Sequence, residues 1–199
     1  MVKVNPHTKR THTSFSAKGA SVRYGVGVNP REIKLIIGLG NPRKEYEKTY
    51  HNVGFLAIDF LAKNPPIAKL LKSDNYMNQS GLFVGRTLKK YGVKPEEILI
   101  VHDDSDIELG KYKVSFGRGS AGHQGIESII KSLNTKNFWR LRIGIRKNVL
   151  SPKFPARGET RQRRQVSRKK AADLVLKKIS KDDLRALLEL FKEINYVQN

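Results

Sequence analysis

LIIGLGNPRKEYEKTYHNVGF, residues 35–55, holds the first strand and the entry to the first helix. Leu35, Ile36 and Ile37 form a short apolar run, preceded by Ile33 and closed by Gly38, which predicts a buried strand. Gly38-Leu39-Gly40-Asn41-Pro42 then breaks it, because glycine permits unusual backbone angles and Pro42 has no N–H to extend a ladder. His51 and Asn52 open an apolar helix predicted over 52–63, carrying Val53, Phe55, Leu56, Ile58 and Leu61. Ligands bind at the carboxyl ends of strands in open α/β sheets, which places Asn41 at such an edge. The dinucleotide fingerprint would need a glycine where Arg43 stands, and no Gly-Lys-Ser/Thr follows.

The 199 residues suffice for one domain with its own core. With no cysteine there is no disulfide, no thiolate nucleophile and no cysteine metal cluster. No apolar run approaches the length of a membrane span. The net charge of +21 points to a polyanionic partner, nucleic acid or ribosome before acidic membrane, because it is concentrated in blocks. Residues 1–30 carry Lys3, Lys9, Arg10, Lys18 and Arg23 with no acid, and read as a basic flexible arm. Their composition also suits a transit peptide to a mitochondrial or plastid matrix, although no clear amphipathic face supports it. A second basic block, Lys153 to Lys170, sets eight Lys or Arg against Glu159. It reads as an insert, about 150–170, in a domain spanning 31–199.

Between those blocks, strand and helix patterns alternate. Ile67–Lys72 is a short apolar–basic piece with strand character, and Asn75–Ser80 is polar and loop-like. A helix with Leu82, Phe83, Val84, Leu88 and Tyr91 ends at Gly92, and Lys94–Glu97 is a turn. Ile98–Val101 is a second buried strand whose carboxyl end delivers His102-Asp103-Asp104-Ser105-Asp106. Lys111–Phe116 and Trp139–Ile145 alternate as strands, separated by the glycine-rich 117–125 loop and a helix with Ile126, Ile129, Ile130 and Leu133. A last helix carries Leu184, Leu187, Leu188, Phe191 and Ile194, with Ser180 and Asp183 resembling a capping box. The prediction is a single-domain three-layer α/β sandwich with a mixed twisted sheet and helices on both faces.

Both buried strands end in polar residues, so Asn41, His51 and the aspartates near 103 are expected to share one crevice. An imidazole can take a proton from water. A carboxylate on its other nitrogen, here Asp103, fixes the tautomer and stabilises the cation. Carboxamides such as Asn41 and Asn78 can hold water or donate to an oxyanion, and the glycine loop offers backbone N–H groups. These parts suffice to hydrolyse an activated acyl bond without a metal or a covalent intermediate. The plainer readings are a solvated aspartate turn, a mobile glycine loop and a solvated basic linker. Asp104, Asp106 and Glu108 have alternating spacing, but a calcium loop would want a glutamate where Ser115 stands. His102 and His123 fit no metal-site spacing.

The chain resembles the bacterial-type peptidyl-tRNA hydrolases. The resemblance rests on residues 35–55, NYMNQSG (75–81), ILIVHDDSDIELGK (98–111), GRGSAGHQGIESII (117–130) and FWRLRIGI (138–145), all in family order. It implies hydrolysis of the ester between a peptide's carboxyl end and the 3′ ribose of tRNA, with His51 as general base. Asp103 would orient it, and Asn41 would lie at the ester. Asn78, with Met77 beside it, would bind the peptide or terminal nucleotide, and Tyr46 and Tyr76 would line the groove. Lys113 and Arg142 match positions that meet tRNA phosphate. The family works without metal or other cofactor and usually as a monomer, so a cytoplasmic monomer is expected. Ribosomal RNA is a further partner for the arm and insert.

Four departures stand out. Gln124 replaces the usual asparagine in the glycine loop, which shifts the carboxamide's reach by about an ångström. Ser115 replaces a second lysine. The stretch between Leu61 and Tyr76 is short, so a sheet hairpin is expected to be missing, and the arm and insert are extra. The alternative is a non-catalytic RNA- or ribosome-binding protein on the same fold, as in a plastid intron-splicing factor of this family. A metal-dependent nuclease using Asp103, Asp104 and Asp106 ranks last.

Overall fold

Four buried residues, Leu35–Gly38, form β1. The computed structural model describes residues 32–147 and 173–196, so the basic arm and insert lie outside the described residues. The other strands are β2 (Lys69–Lys72), β3 (Ile98–Glu108), β4 (Tyr112–Phe116) and β5 (Trp139–Arg146). They make one sheet in the order β2-β1-β3-β5-β4. β1 pairs in parallel with β2 and β3, β3 pairs in parallel with β5, and β4 runs antiparallel to β5. Parallel neighbours need crossovers. Helices α1 (Val53–Leu61) and α2 (Ser80–Tyr91) provide them, α3 (Gln124–Leu133) joins β4 to β5, and α4 (Lys181–Tyr196) ends the described chain.

Strand parity sorts the core into two layers. Ile36, Leu99, Val101, Leu141 and Ile143 pack with Val53 and Ala57 of α1 and with Leu187, Leu190 and Phe191 of α4. Leu35, Ile37, Ile98 and Ile100 pack with Phe83, Val84 and Leu88 of α2 and with Ile126 and Ile129 of α3. The result is the expected α/β domain with a mixed sheet between helical layers. Gly54 sets how closely α1 approaches the sheet, since a Cβ there would stand 2.4 Å from the Val101 carbonyl oxygen and 2.5 Å from that of Leu39. This close seat presses the His51 turn against the ends of β1 and β3.

Several segments differ from their sequence reading. The His102–Asp106 run is no solvated turn. It continues β3, because His102, Asp103 and Asp104 sit in register with Arg142, Ile143 and Gly144 of β5. Asn75–Ser80 is less irregular than expected, with Met77–Gln79 forming a 3-10 turn that runs into α2. Lys94–Glu97 also holds a 3-10 turn, and the Glu97 carboxylate accepts the Lys94 N–H at 2.8 Å. At the start of α4, the Asp183 N–H donates to Ser180 Oγ at 3.2 Å, half of the expected capping box. The Asp183 carboxylate is turned instead to Tyr50 and Lys147. Among the described residues no helix is long and apolar enough to cross a membrane.

Candidate active site

Two loops are tied together where β1 ends. The Asn41 N–H donates to Asn52 Oδ1 at 2.8 Å, and Asn52 Nδ2 donates back to the Asn41 carbonyl at 3.0 Å. Asn52 is the last residue of a 3-10 turn, Tyr50–Asn52, whose middle residue is His51. This reciprocal pair therefore fixes the spacing between Asn41 and His51. Asn41 Oδ1 accepts the Met77 N–H at 2.8 Å. With its oxygen committed, Nδ2 is the end of that amide that can face a substrate.

Asp103, 2% exposed, receives two imidazoles on one oxygen. His51 Nδ1 lies 2.8 Å and His123 Nε2 3.1 Å from Asp103 Oδ1. The tautomer of His123 follows from its other nitrogen: Nδ1 accepts the N–H groups of Gly125 and Ile126 at 3.1 and 3.3 Å and caps α3. Its hydrogen is therefore on Nε2, aimed at Asp103. His51 likewise donates through Nδ1, leaving an Nε2 lone pair for general-base work. Burial alone would raise the Asp103 carboxyl, but the His51 and His123 rings outweigh it and hold the group far below the usual carboxylate range. The donor atoms of His51, Asp103 and His123 lie within 4.8 Å of one another, close enough for a metal ion. The hydrogen on His123 Nε2 leaves that nitrogen no lone pair for one, so the set fits a hydrogen-bonded relay better than a metal centre.

β3 residues of the other parity line a cavity of about 410 Å³ with Lys113, Arg118, Arg140 and Arg142. Arg142 Nε donates to Asp104 Oδ2 at 2.7 Å, and Lys113 is its cross-strand partner. Arg140, 2% exposed, donates through Nη1 to the Gly119 carbonyl at 2.8 Å, pinning the glycine loop. Its Nε and Nη2 have no partner among the described residues. Burial, with help from the Arg142 charge, lowers the Arg140 guanidinium to about 10. Four cations against the Asp104 carboxylate leave this cavity with an excess of positive charge.

His102 also lines it, with Nδ1 bonded to the Asp103 carbonyl at 2.7 Å. Burial, then the neighbouring His123, pushes His102 well below the ordinary histidine range. Because the folded form resists a proton that the unfolded chain takes up near pH 6.5, His102 costs stability as pH falls below that value. Thermal unfolding should lose up to about 1.4 kcal/mol per pH unit from this group between pH 6.5 and 5. In His102→Gln, melts across that window should show a shallower slope, and an unchanged slope contradicts the assignment.

Asn78 and Gln124 are exposed and share a separate cleft of about 580 Å³ with Leu82 and Lys131, between α2 and α3. Neither Asn41, His51 nor Asp103 lines it. Their chain neighbours join the two sites, Met77 through Asn41 and His123 through Asp103. Tyr46 meets Tyr76 edge-on at 6.4 Å, and Arg43 lies 5.4 Å from the Tyr76 ring centre.

A family model described as peptidyl-tRNA hydrolase matches residues 35–69 and 66–198. The chain belongs to that family. A peptidyl-tRNA hydrolase of Aquifex aeolicus is 43% identical over 153 residues, which cover 62% of this chain and 80% of the relative. One from Mycoplasma capricolum is 37% identical over 179 residues, covering 80% and 87% respectively. The crystal structure of the Acinetobacter baumannii peptidyl-tRNA hydrolase superposes with a TM-score of 0.67 at 29% identity, covering 85% of this chain and 88% of that one.

The structure brings into play three residues to which the sequence reading gives no part in the reaction. Asn52 reads there only as a helix opener. His123 stands directly before an apolar helix, where a cap is expected, and that position is the signal that points to it. Arg140 shares strand parity with Arg142, but its burial under the glycine loop is a tertiary fact.

Proposed function

We propose that the chain hydrolyses the ester linking a peptide's carboxyl end to the 3′ ribose of tRNA. The observation that carries this is the buried His51 Nδ1 to Asp103 Oδ1 bond of 2.8 Å, set one residue from the Asn52–Asn41 pair. His51 Nε2 takes a proton from water as the water oxygen attacks the ester carbonyl carbon. Asp103 stabilises the imidazolium, and Asn41 Nδ2 donates to the developing oxyanion. The intermediate collapses by breaking the bond to the ribose 3′ oxygen, which takes the proton back from His51. Free peptide and tRNA result, with no covalent enzyme adduct. Asn78 and Gln124 hold the substrate's end in their cleft, beside Met77, with Tyr46 and Tyr76 along the approach.

The test is release of N-blocked amino acid from purified N-blocked aminoacyl-tRNA in the presence of EDTA. Turnover is expected. Tight binding without release returns the non-catalytic RNA-binding reading, and release that EDTA abolishes returns a metal-dependent one. The domain is taken as 31–199, acting as a monomer in the cytoplasm, with the 1–30 arm and the 150–170 insert as additional RNA contacts. The +21 charge supports that part.

Lys113 and Arg142 are assigned to tRNA phosphate. Lys113→Ala should raise KM for the tRNA substrate several-fold and leave kcat near wild type. The log–log salt dependence of tRNA affinity should flatten by about 1 for each lysine–phosphate pair that is removed. An unchanged slope in fluorescence titrations from low to moderate salt would remove the assignment.

A further inference from the structure

The bonds that the loop leading into His51 makes within itself are short-range: the Tyr46, Glu47 and Thr49 N–H groups donate to the Arg43, Lys44 and Tyr46 carbonyls, and Thr49 Oγ1 donates to the Tyr46 carbonyl as well. The loop's 3-10 turn, Lys44–Tyr46, buries no residue. Lys48 has a φ of 57°, a left-handed conformation that side-chain-bearing residues rarely adopt. What ties this loop to the rest of the fold is the segment just before α4 and the first turn of that helix. The Ile179 N–H donates to the strained Lys48's carbonyl at 2.7 Å, and the Tyr50 N–H donates to the Lys177 carbonyl at 3.2 Å. Thr49 and Lys178 form an isolated antiparallel bridge. Lys178 Nζ donates to the carbonyls of Glu45 and Glu47 at 2.6 and 2.7 Å. The buried Tyr50 hydroxyl donates to Asp183, whose carboxylate also pairs with Lys147 Nζ at 2.6 Å.

We propose that residues 177–183 form a clasp that positions the general base, with Lys178 and Asp183 as positioning residues for the reaction at His51. This rests on the proposed hydrolysis. One side of the His51 turn is fixed by Asn41 and Asn52, and the clasp fixes the other. Tyr50 is the lever, since it adjoins His51 and is gripped at both its backbone N–H and its hydroxyl. A displacement of His51 relative to Asp103 by a fraction of an ångström weakens proton transfer without touching tRNA. The residues assigned to tRNA phosphate, Lys113 on β4 and Arg142 on β5, are not among the clasp's bonding partners.

The experiment compares Lys178→Met, Lys178→Arg, Tyr50→Phe and His51→Ala in the full chain, well below each melting temperature. Lys178→Met and Tyr50→Phe should each lower kcat about tenfold with KM for the acylated tRNA unchanged. Lys178→Arg keeps two donors for the two carbonyls and should recover most of the rate. A lowered melting temperature with wild-type kcat, or a loss confined to KM, overturns the clasp. If Lys178→Met does not fold, Tyr50→Phe and Lys178→Arg decide it by the same readouts. His51→Ala separates the two ideas. If it is inactive while the Lys178 and Tyr50 variants are fully active, only the clasp fails. If it retains wild-type kcat, the general-base reading falls and takes the clasp with it.

Discussion

Replacing His51 with alanine should lower peptide release from N-blocked aminoacyl-tRNA by at least about a hundredfold, the scale of a lost general base. Two other imidazoles stand close by, with ring centres of His51 and His123 5.1 Å apart and those of His102 and His123 4.6 Å apart. Neither can take over. His123 has one nitrogen accepting from the first turn of α3 and the other donating to Asp103. His102 spends Nδ1 on the Asp103 carbonyl and turns toward the cationic cavity, where burial keeps it neutral. The loss should appear in kcat and leave KM for tRNA unchanged, because the cationic cavity is lined by other residues. Asp103 keeps the His123 donor, so the variant should fold with a stability loss of about 1–3 kcal/mol, the cost of one buried bond to a charged group. Single-turnover release measured from pH 5 to 9 checks this, and a variant within tenfold of wild type at every pH contradicts it.

Much of this arrangement is legible in the sequence, and what is not has physical reasons. The Leu35–Gly38 run and the apolar period from Val53 are local signals, and both became elements within two residues of their expected bounds. The convergence of Asn41, His51 and Asp103 followed from topology, because parallel strands put their polar ends on one edge of the sheet. The Asp-rich run misleads because polar composition argues for a turn. A strand can carry such a run at a sheet's carboxyl end, where β5 supplies the ladder and imidazole or guanidinium groups satisfy the carboxylates. Pairs such as Lys178 with Glu45, or Tyr50 with Asp183, span 133 residues and leave no periodic trace. Asn78 and Gln124 share a cleft of their own beside the close contact of α2 and α3, where Gly81 seats against Ser128 and Ser132, a tertiary pairing that nothing in NYMNQSG or GHQG announces.

Asp103→Asn should cost about ten- to a hundredfold in kcat, and the reason it should not cost more lies in His123. An amide in place of a catalytic carboxylate is most damaging, roughly 10⁴-fold, when it lets the imidazole take the wrong tautomer. Here the amide has little choice of orientation. His123 cannot exchange its tautomer without abandoning the α3 cap, so its Nε2 hydrogen demands an acceptor at the Oδ1 position. The asparagine oxygen must occupy that position, and His51 Nδ1 then still finds an acceptor and keeps Nε2 free for water. What is lost is the negative charge that stabilises the imidazolium. His123→Ala removes the lock, so adding it to Asp103→Asn should drop kcat by about a further tenfold or more. The acid limb of stability gives a second reading. The Asp103 carboxyl is depressed in the folded state, so its contribution is present above the ordinary carboxylate value near pH 4 and disappears as pH falls below it. The Asn variant lacks that limb and should melt with less pH dependence between about pH 4 and 2. If Asp103→Asn alone loses far more than about a hundredfold, toward the roughly 10⁴-fold of a wrong tautomer, His123 does not hold the tautomer and the shared oxygen has no catalytic meaning.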